Sequence, residues 1–130
     1  MGQSPTTLVV EHHRDCREVL VLALELSGFR VLAARTGGEA LACLHDHTPQ
    51  SIVIDTALPD RDAIDVVRVL RANQRFDHTT VVLAGTWIPE PDRSAAVAAG
   101  VDAVLIKPFA VEDLLDRVSL ARRRAPHGHS

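Results

Sequence analysis

The sequence has only two cysteines, Cys16 and Cys43, both inside apolar helical patterns, and this scarcity excludes a disulfide framework or a CxxC redox or zinc motif. Small buried thiols in a reducing compartment are the reading that remains. No apolar run approaches the length needed to cross a bilayer, and Met1-Gly2-Gln3-Ser4-Pro5 has neither a basic n-region nor an apolar h-region, so a soluble, cytoplasmic chain is expected. Positive charge is not in excess: 14 lysines and arginines stand against 17 acids, a formal net charge of −3, so the body of the chain lacks the basic field that nucleic acid requires. Neither nucleic acid nor membrane is therefore expected as a partner. Internal repeats and low-complexity linkers are absent too, so the 130 residues read as a single domain with a core at about 7–122 and flexible tails at 1–6 and 125–130.

What is present is an alternation. Short β-branched or apolar runs occur at Thr7 to Val10, Phe29 to Ala33, Ser51 to Asp55, Thr79 to Ala84 and Ala103 to Ile106. Runs of this length, apolar on both faces and bounded by turn residues, predict strands buried between two layers of helices. Helical patterns separate them: Arg14 to Ser27 stopped by Gly28, a helix opened by Thr36-Gly37-Gly38-Glu39, Ile64 to about Ala72, an alanine-rich stretch ended by Gly100, and Val111 to about Arg123. Thr36 and Glu39 have capping-box spacing, and Asp60 or Asp62 is placed to cap the third helix. Five strands and five helices in alternation predict an α/β fold, a doubly wound five-stranded parallel sheet with right-handed crossovers and helices on two faces. The flavodoxin-like strand order 2-1-3-4-5 brings the first, third and fifth strand ends to one crevice.

The first helix is more apolar than its position needs. Cys16, Val19, Leu20, Ala23 and Leu24 form one core-facing stripe, while Val21, Leu22 and Leu26 point away from its centre, either covering neighbouring elements or offering a partner an apolar patch. His45 and His47 close the second helix beside Asp46, where imidazoles interact well with the helix dipole. Arg122-Arg123-Arg124 is read the same way at the end of the last helix.

Chemistry-bearing residues gather where the strands end. Asp55 closes the third run, Glu11-His12-His13 follows the first, and Lys107-Pro108-Phe109 follows the fifth. Ligands collect at the carboxyl ends of strands in open α/β sheets, so an acid, imidazoles and an ammonium are delivered toward one place.

Four features in this order and spacing give the chain a family likeness: Leu8-Val9-Val10-Glu11, Asp55 with Pro59 four residues later, Ala99-Gly100-Val101-Asp102-Ala103, and Lys107-Pro108-Phe109. The chain resembles the receiver domain of bacterial two-component response regulators, including the chemotaxis regulators, over Thr7 to Arg122. The resemblance implies that Asp55 accepts a phosphoryl group from a histidine kinase, a histidine phosphotransfer protein or a small phosphodonor. It implies that Lys107 stabilises the phosphoryl oxygens and that the Lys107–Pro108 peptide is cis. It implies Mg2+ or Mn2+ held by Glu11, Asp55 and the backbone carbonyl of Ala57. Phosphoryl transfer onto a carboxylate brings negative charges together, which is why such a site needs both a divalent cation and an ammonium.

Several positions depart from the family. His12 stands where the second acid is expected, and imidazole suits Zn, Mn or Ni better than Mg. Gly85 stands where a phosphoryl-binding Ser or Thr is expected, and Thr86, one residue on, reaches in only if the turn is shifted. Val104 replaces the switch aromatic, and Ala63 replaces a glycine. Ala57 and Trp87 occupy positions that tune water access, and neither brings a charged group, which implies slow self-dephosphorylation. No enzymatic turnover is expected beyond this self-phosphorylation and self-dephosphorylation.

Two readings stay open. One is a stand-alone receiver in a phosphorelay, whose output is contact with a downstream protein or a second copy of itself. The other is a phosphorylation-independent pseudo-receiver acting as an interaction module. A transition-metal hydrolytic site built from Glu11, His12, His13 and Asp55 is a third, minor alternative.

Overall fold

The structure is a computed structural model that describes residues 4–119. Its strands are β1 (Thr6–Val10), β2 (Arg30–Ala34), β3 (Ser51–Asp55), β4 (Thr80–Gly85) and β5 (Ala103–Ile106). Its helices are α1 (Arg14–Leu26), α2 (Gly37–Asp46), α3 (Ala63–Arg71), α4 (Glu90–Ala99) and α5 (Val111–Ser119), with a single 3₁₀ turn at Gln74–Phe76. All strand pairings are parallel and the order is β2-β1-β3-β4-β5, the flavodoxin-like arrangement.

Side chains alternate across a strand, so each central strand feeds two cores. Leu8, Val10, Ile52, Ile54, Val81 and Leu83 point to one face, where α2, α3 and α4 supply Leu44, Val66, Leu70 and Ala96. Val9, Val53, Val82 and Leu105 point to the other, where Leu24, Leu114 and Val118 of α1 and α5 meet them. Burying a side chain such as Ile54 or Leu83 contributes about 1.5–3 kcal/mol each, which explains why both faces of β3 and β4 are apolar.

The helix ends follow local chemistry. The Thr36 hydroxyl accepts from Glu39 N at 3.0 Å, while Glu39 reaches one residue further back than a capping box requires, accepting from Arg35 N at 2.9 Å. Asp62 caps α3 by accepting from Ile64 N at 2.9 Å. Asp60 does not share that task. Its two carboxylate oxygens accept from Gly37 N and Gly38 N of α2 at 2.9 and 2.8 Å. Gly100 ends α4 at φ +112°, a left-handed conformation that favours glycine, and the Arg71 stem lies over its missing side chain.

Several expectations shift. Thr6, assigned to a tail, is the first residue of β1, and β2 and β4 each begin and end one residue later than the sequence pattern indicated. On α1 the buried stripe is rotated: Val19 is 62% exposed, whereas Val21 packs on the core shared with α5. The stripe that meets the sheet runs through Leu20, Val21 and Leu24, because α1 also packs against Phe29 and β2, and Val19 falls outside that contact. Of the residues for which the sequence left covering and exposure open, Leu22 and Leu26 are exposed. The 3₁₀ turn that buries Phe76 has no period from which it can be read. Arg122-Arg123-Arg124 and the C-terminal tail lie outside the described residues.

Candidate functional site

Glu11, Asp55 and Lys107 share a property that alternation dictates. Each is an even number of residues beyond a strand position facing α1 and α5: Glu11 after Val9, Asp55 after Val53, Lys107 after Leu105. Because β1, β3 and β5 run parallel, all three side chains emerge at the carboxyl edge on the same face.

They meet there. Lys107 Nζ lies 2.6 Å from Glu11 Oε1 and 2.7 Å from Asp55 Oδ1. Glu11 and Asp55 are 3% and 5% exposed, so one ammonium is shared by two carboxyl groups that have almost left water. The second oxygens are also used: Glu11 Oε2 accepts from His13 N at 3.1 Å and Asp55 Oδ2 from Ala57 N at 2.8 Å. Burial lowers the pKa of Lys107, but the hydrogen bonds and charges of Asp55 and Glu11 more than reverse this and hold it above the ordinary value of 10.5. The stability contributed by the protonated form of Lys107 is therefore lost as pH rises through a folded value above 10.5. The Lys107–Pro108 peptide is cis, and Lys107 N donates to Gly85 O at 2.8 Å, which holds the lysine backbone to the end of β4.

The oxygen set suits a hard cation. Two carboxyl groups and the Ala57 carbonyl, which accepts no hydrogen bond among the described residues, match what magnesium or manganese takes alongside water. His12 does not join them. It is exposed, and among the described residues no group of three or more His, Cys, Asp or Glu side chains is arranged to hold a metal. His13 is engaged as the N-cap of α1, its Nδ1 accepting from Cys16 N at 3.4 Å. The transition-metal alternative therefore has no clustered ligand set. The loop is pinned instead by Arg17, whose Nη1 donates to the Glu11 and His12 carbonyls at 3.0 and 3.1 Å. Arginine 17 carries no sequence signal for this role, because its partners are backbone atoms.

The remaining positions divide between faces. Gly85 follows Leu83 by two residues, so alternation starts a side chain there toward the α3 and α4 face. That space is taken: a Cβ on Gly85 would lie 2.5 Å from Thr56 Oγ1 and 2.9 Å from Thr56 Cγ2. Thr86 lies on the other side, lining an apolar groove of about 560 Å³ with Cys16, Val19, Lys107 and Phe109. Val104 packs against the α2–α4 core. Ala57 is exposed, and Trp87 is 81% exposed at the mouth of a cavity of about 640 Å³ floored by Leu83 and Ile88.

The family model for the response regulator receiver domain matches residues 7–119. The transcriptional regulatory protein PrrA of Mycobacterium tuberculosis is 39% identical over 122 residues, 93% of this chain and 52% of the relative. The KDP operon transcriptional regulatory protein KdpE of Escherichia coli is 36% identical over 117 residues, 90% of this chain and 51% of the relative. The chain thus spans about half the length of these curated relatives. The receiver domain of the Francisella response regulator 1452 superposes with a TM-score of 0.80 at 27% identity, covering 88% of this chain and 93% of that one. The Vibrio cholerae chemotaxis response regulator CheY4 shares the fold with a TM-score of 0.83 at 24% identity, covering 89% of this chain and 99% of that one. Fold, crevice and relatives converge: the chain belongs to the response regulator receiver domains of two-component signalling.

Proposed function

We propose that the chain accepts a phosphoryl group on Asp55, with Lys107 as the cation that stabilises it, and relays the signal from a histidine kinase or histidine phosphotransfer protein to a downstream output. The observation that supports this best is the shared ammonium, Lys107 Nζ within hydrogen-bond distance of both Asp55 and Glu11 at the carboxyl edge. An oxygen of Asp55 forms the new O–P bond. The P–N bond of a phosphohistidine donor breaks, and the imidazole nitrogen leaves with the bonding pair and takes up a proton. Lys107 keeps its proton and follows the charge from the carboxylate to the phosphoryl oxygens, which are more negative. Mg2+ or Mn2+, held by Glu11, Asp55 and the Ala57 carbonyl, supplies the remaining neutralisation of the phosphoryl oxygens when bound.

The test is the intact mass of the protein after incubation with a small phosphodonor, with Mg2+ and then with Mn2+, beside Asp55→Asn. The expected result is a single phosphoryl adduct that requires the metal and Asp55. Absence of an adduct with either metal overturns the acceptor reading.

The pseudo-receiver reading draws on one observation: the space beside Gly85 is filled by Thr56, so position 85 offers neither a hydroxyl nor room for one. A relay that has lost this contact keeps phosphoryl acceptance and loses the usual way of converting it into a shape change, since a ligand shifts an equilibrium only by its differential contacts with two states. The output surfaces on offer are the exposed apolar residues Val19, Leu22 and Leu26 of α1, and Val97, Ile106 and Val111 of α4, β5 and α5, the second set suiting a homodimer.

A further inference from the structure

The loop 56–62 between β3 and α3 carries the Ala57 carbonyl and leaves directly from Asp55, yet it belongs to no strand or helix. Its shape must come from tethers. At one end Ala57 N donates to Asp55 Oδ2 at 2.8 Å, and at the other Asp62 caps α3. Between them Asp60 spans to another part of the molecule: Gly37 N and Gly38 N donate to its two oxygens at 2.9 and 2.8 Å, a bidentate grip on the first turn of a ten-residue helix. The amide bonds from Gly38 and Gly37 hold Asp60 below the ordinary carboxylate range. Close approach is built in. A Cβ on Gly37 would lie 2.6 and 2.7 Å from Arg61 Cγ and Cδ, so only glycine leaves room for the Arg61 stem to lie across the helix start.

The tether acts over a short lever. Ala57 and Asp60 are three residues apart, at most about 10 Å of extended chain. Of the two residues between them, Leu58 packs on the α2–α4 core and Pro59 has a fixed φ, so a shift at Asp60 is passed on rather than absorbed.

We propose that Asp60 is a positioning residue for the phosphoryl-acceptor site: by gripping the N-terminus of α2 it sets the loop that presents Ala57 and braces Asp55, and so couples α2 to the site. This rests on the reading of Asp55 as acceptor, and one arm of the test is independent of that reading. Asp60→Ala removes the grip and Asp60→Asn keeps one acceptor oxygen. Thr36→Ala serves as the control, because it weakens the same helix start through Glu39 N and its side chain makes no hydrogen bond to the loop among the described residues.

Amide hydrogen exchange is followed at Gly38 and at Ala57, together with the rate of adduct formation by intact mass. With Asp60→Ala, exchange at both amides is expected to speed up and adduct formation to slow by about tenfold or more, as a misplacement near 1 Å commonly does. Asp60→Asn falls between it and the unsubstituted chain, and Thr36→Ala speeds exchange within α2 while leaving Ala57 and the adduct rate unchanged. Ala57 exchange that responds equally to Asp60→Ala and Thr36→Ala, or to neither, overturns the proposal and leaves Asp60 a helix cap. If the unsubstituted chain forms no adduct, the acceptor reading fails and the exchange comparison alone decides whether Asp60 sets the loop.

Discussion

At the amino edge of the sheet, Arg71 is surrounded by partners that match it. Its Nε donates to Gly100 O at 3.0 Å, Nη1 to Phe76 O at 2.7 Å, and Nη2 to Thr79 O at 2.8 Å and Asp102 Oδ2 at 3.0 Å. Asp102 Oδ2 also accepts from Val81 N at 2.8 Å. At the carboxyl edge, Lys107 serves two acids with one charge. The first cluster pairs a guanidinium with a carboxylate and gives its remaining donors to backbone carbonyls, tying α3, α4, β4 and β5 into one frame. The second leaves an excess of carboxyl groups around a compact, rotatable ammonium. Arginine suits the first because its fork is rigid, and lysine suits the second because its point charge can follow a change in its partners. One region is built to stay and the other to respond.

The comparison is broken most directly at Arg71. Arg71→Ala removes one donor from each of three carbonyls and from the Asp102 carboxylate, and the loss is expected to be about 3–5 kcal/mol, read as a lowered denaturant midpoint. A loss below about 1 kcal/mol, the range of exposed pairs, would mean that the clamp is no more than a surface contact.

Gly85→Thr probes the other edge and is expected to cost about 1–3 kcal/mol, because its Cβ overlaps the Thr56 side chain. Adding Thr56→Ala is expected to recover most of that loss. A double-mutant cycle measures the coupling, and strictly additive effects would separate the two positions.

The smallest effect sharpens the contrast. Asp55→Asn leaves Lys107 paired with Glu11 alone, one charge to one, so stability is expected to stay within about 1 kcal/mol of the unsubstituted chain. A loss as large as that of Arg71→Ala would make Asp55 a structural partner before anything else.

Much of this was legible in the residues. The apolar run ending at Asp55 was readable because a strand buried on both faces has few alternative sequences. Thr36 and Gly100 were readable because capping is local, its partners lying within four residues. Between Asp60 and Asp62, left as alternative caps of α3, the structure takes Asp62, and the role of Asp60 was not legible because its partners are 22 and 23 residues away. The stripe on α1 was placed one position off at Val19, since periodicity gives the width of an apolar face and not the angle at which it meets a twisted sheet.

The sequence by itself determined the alternation of strands and helices, their approximate ends and the delivery of Glu11, Asp55 and Lys107 to one edge, because period, caps and buried runs are encoded within a few residues of where they act. Only the tertiary structure decided that Lys107 bridges two acids, one of them 96 residues distant, that His12 stays outside that cluster, that Thr56 fills the space beside Gly85, and that Asp60 holds α2. These outcomes depend on ångström-scale distances between elements remote in the chain, and packing sets those distances.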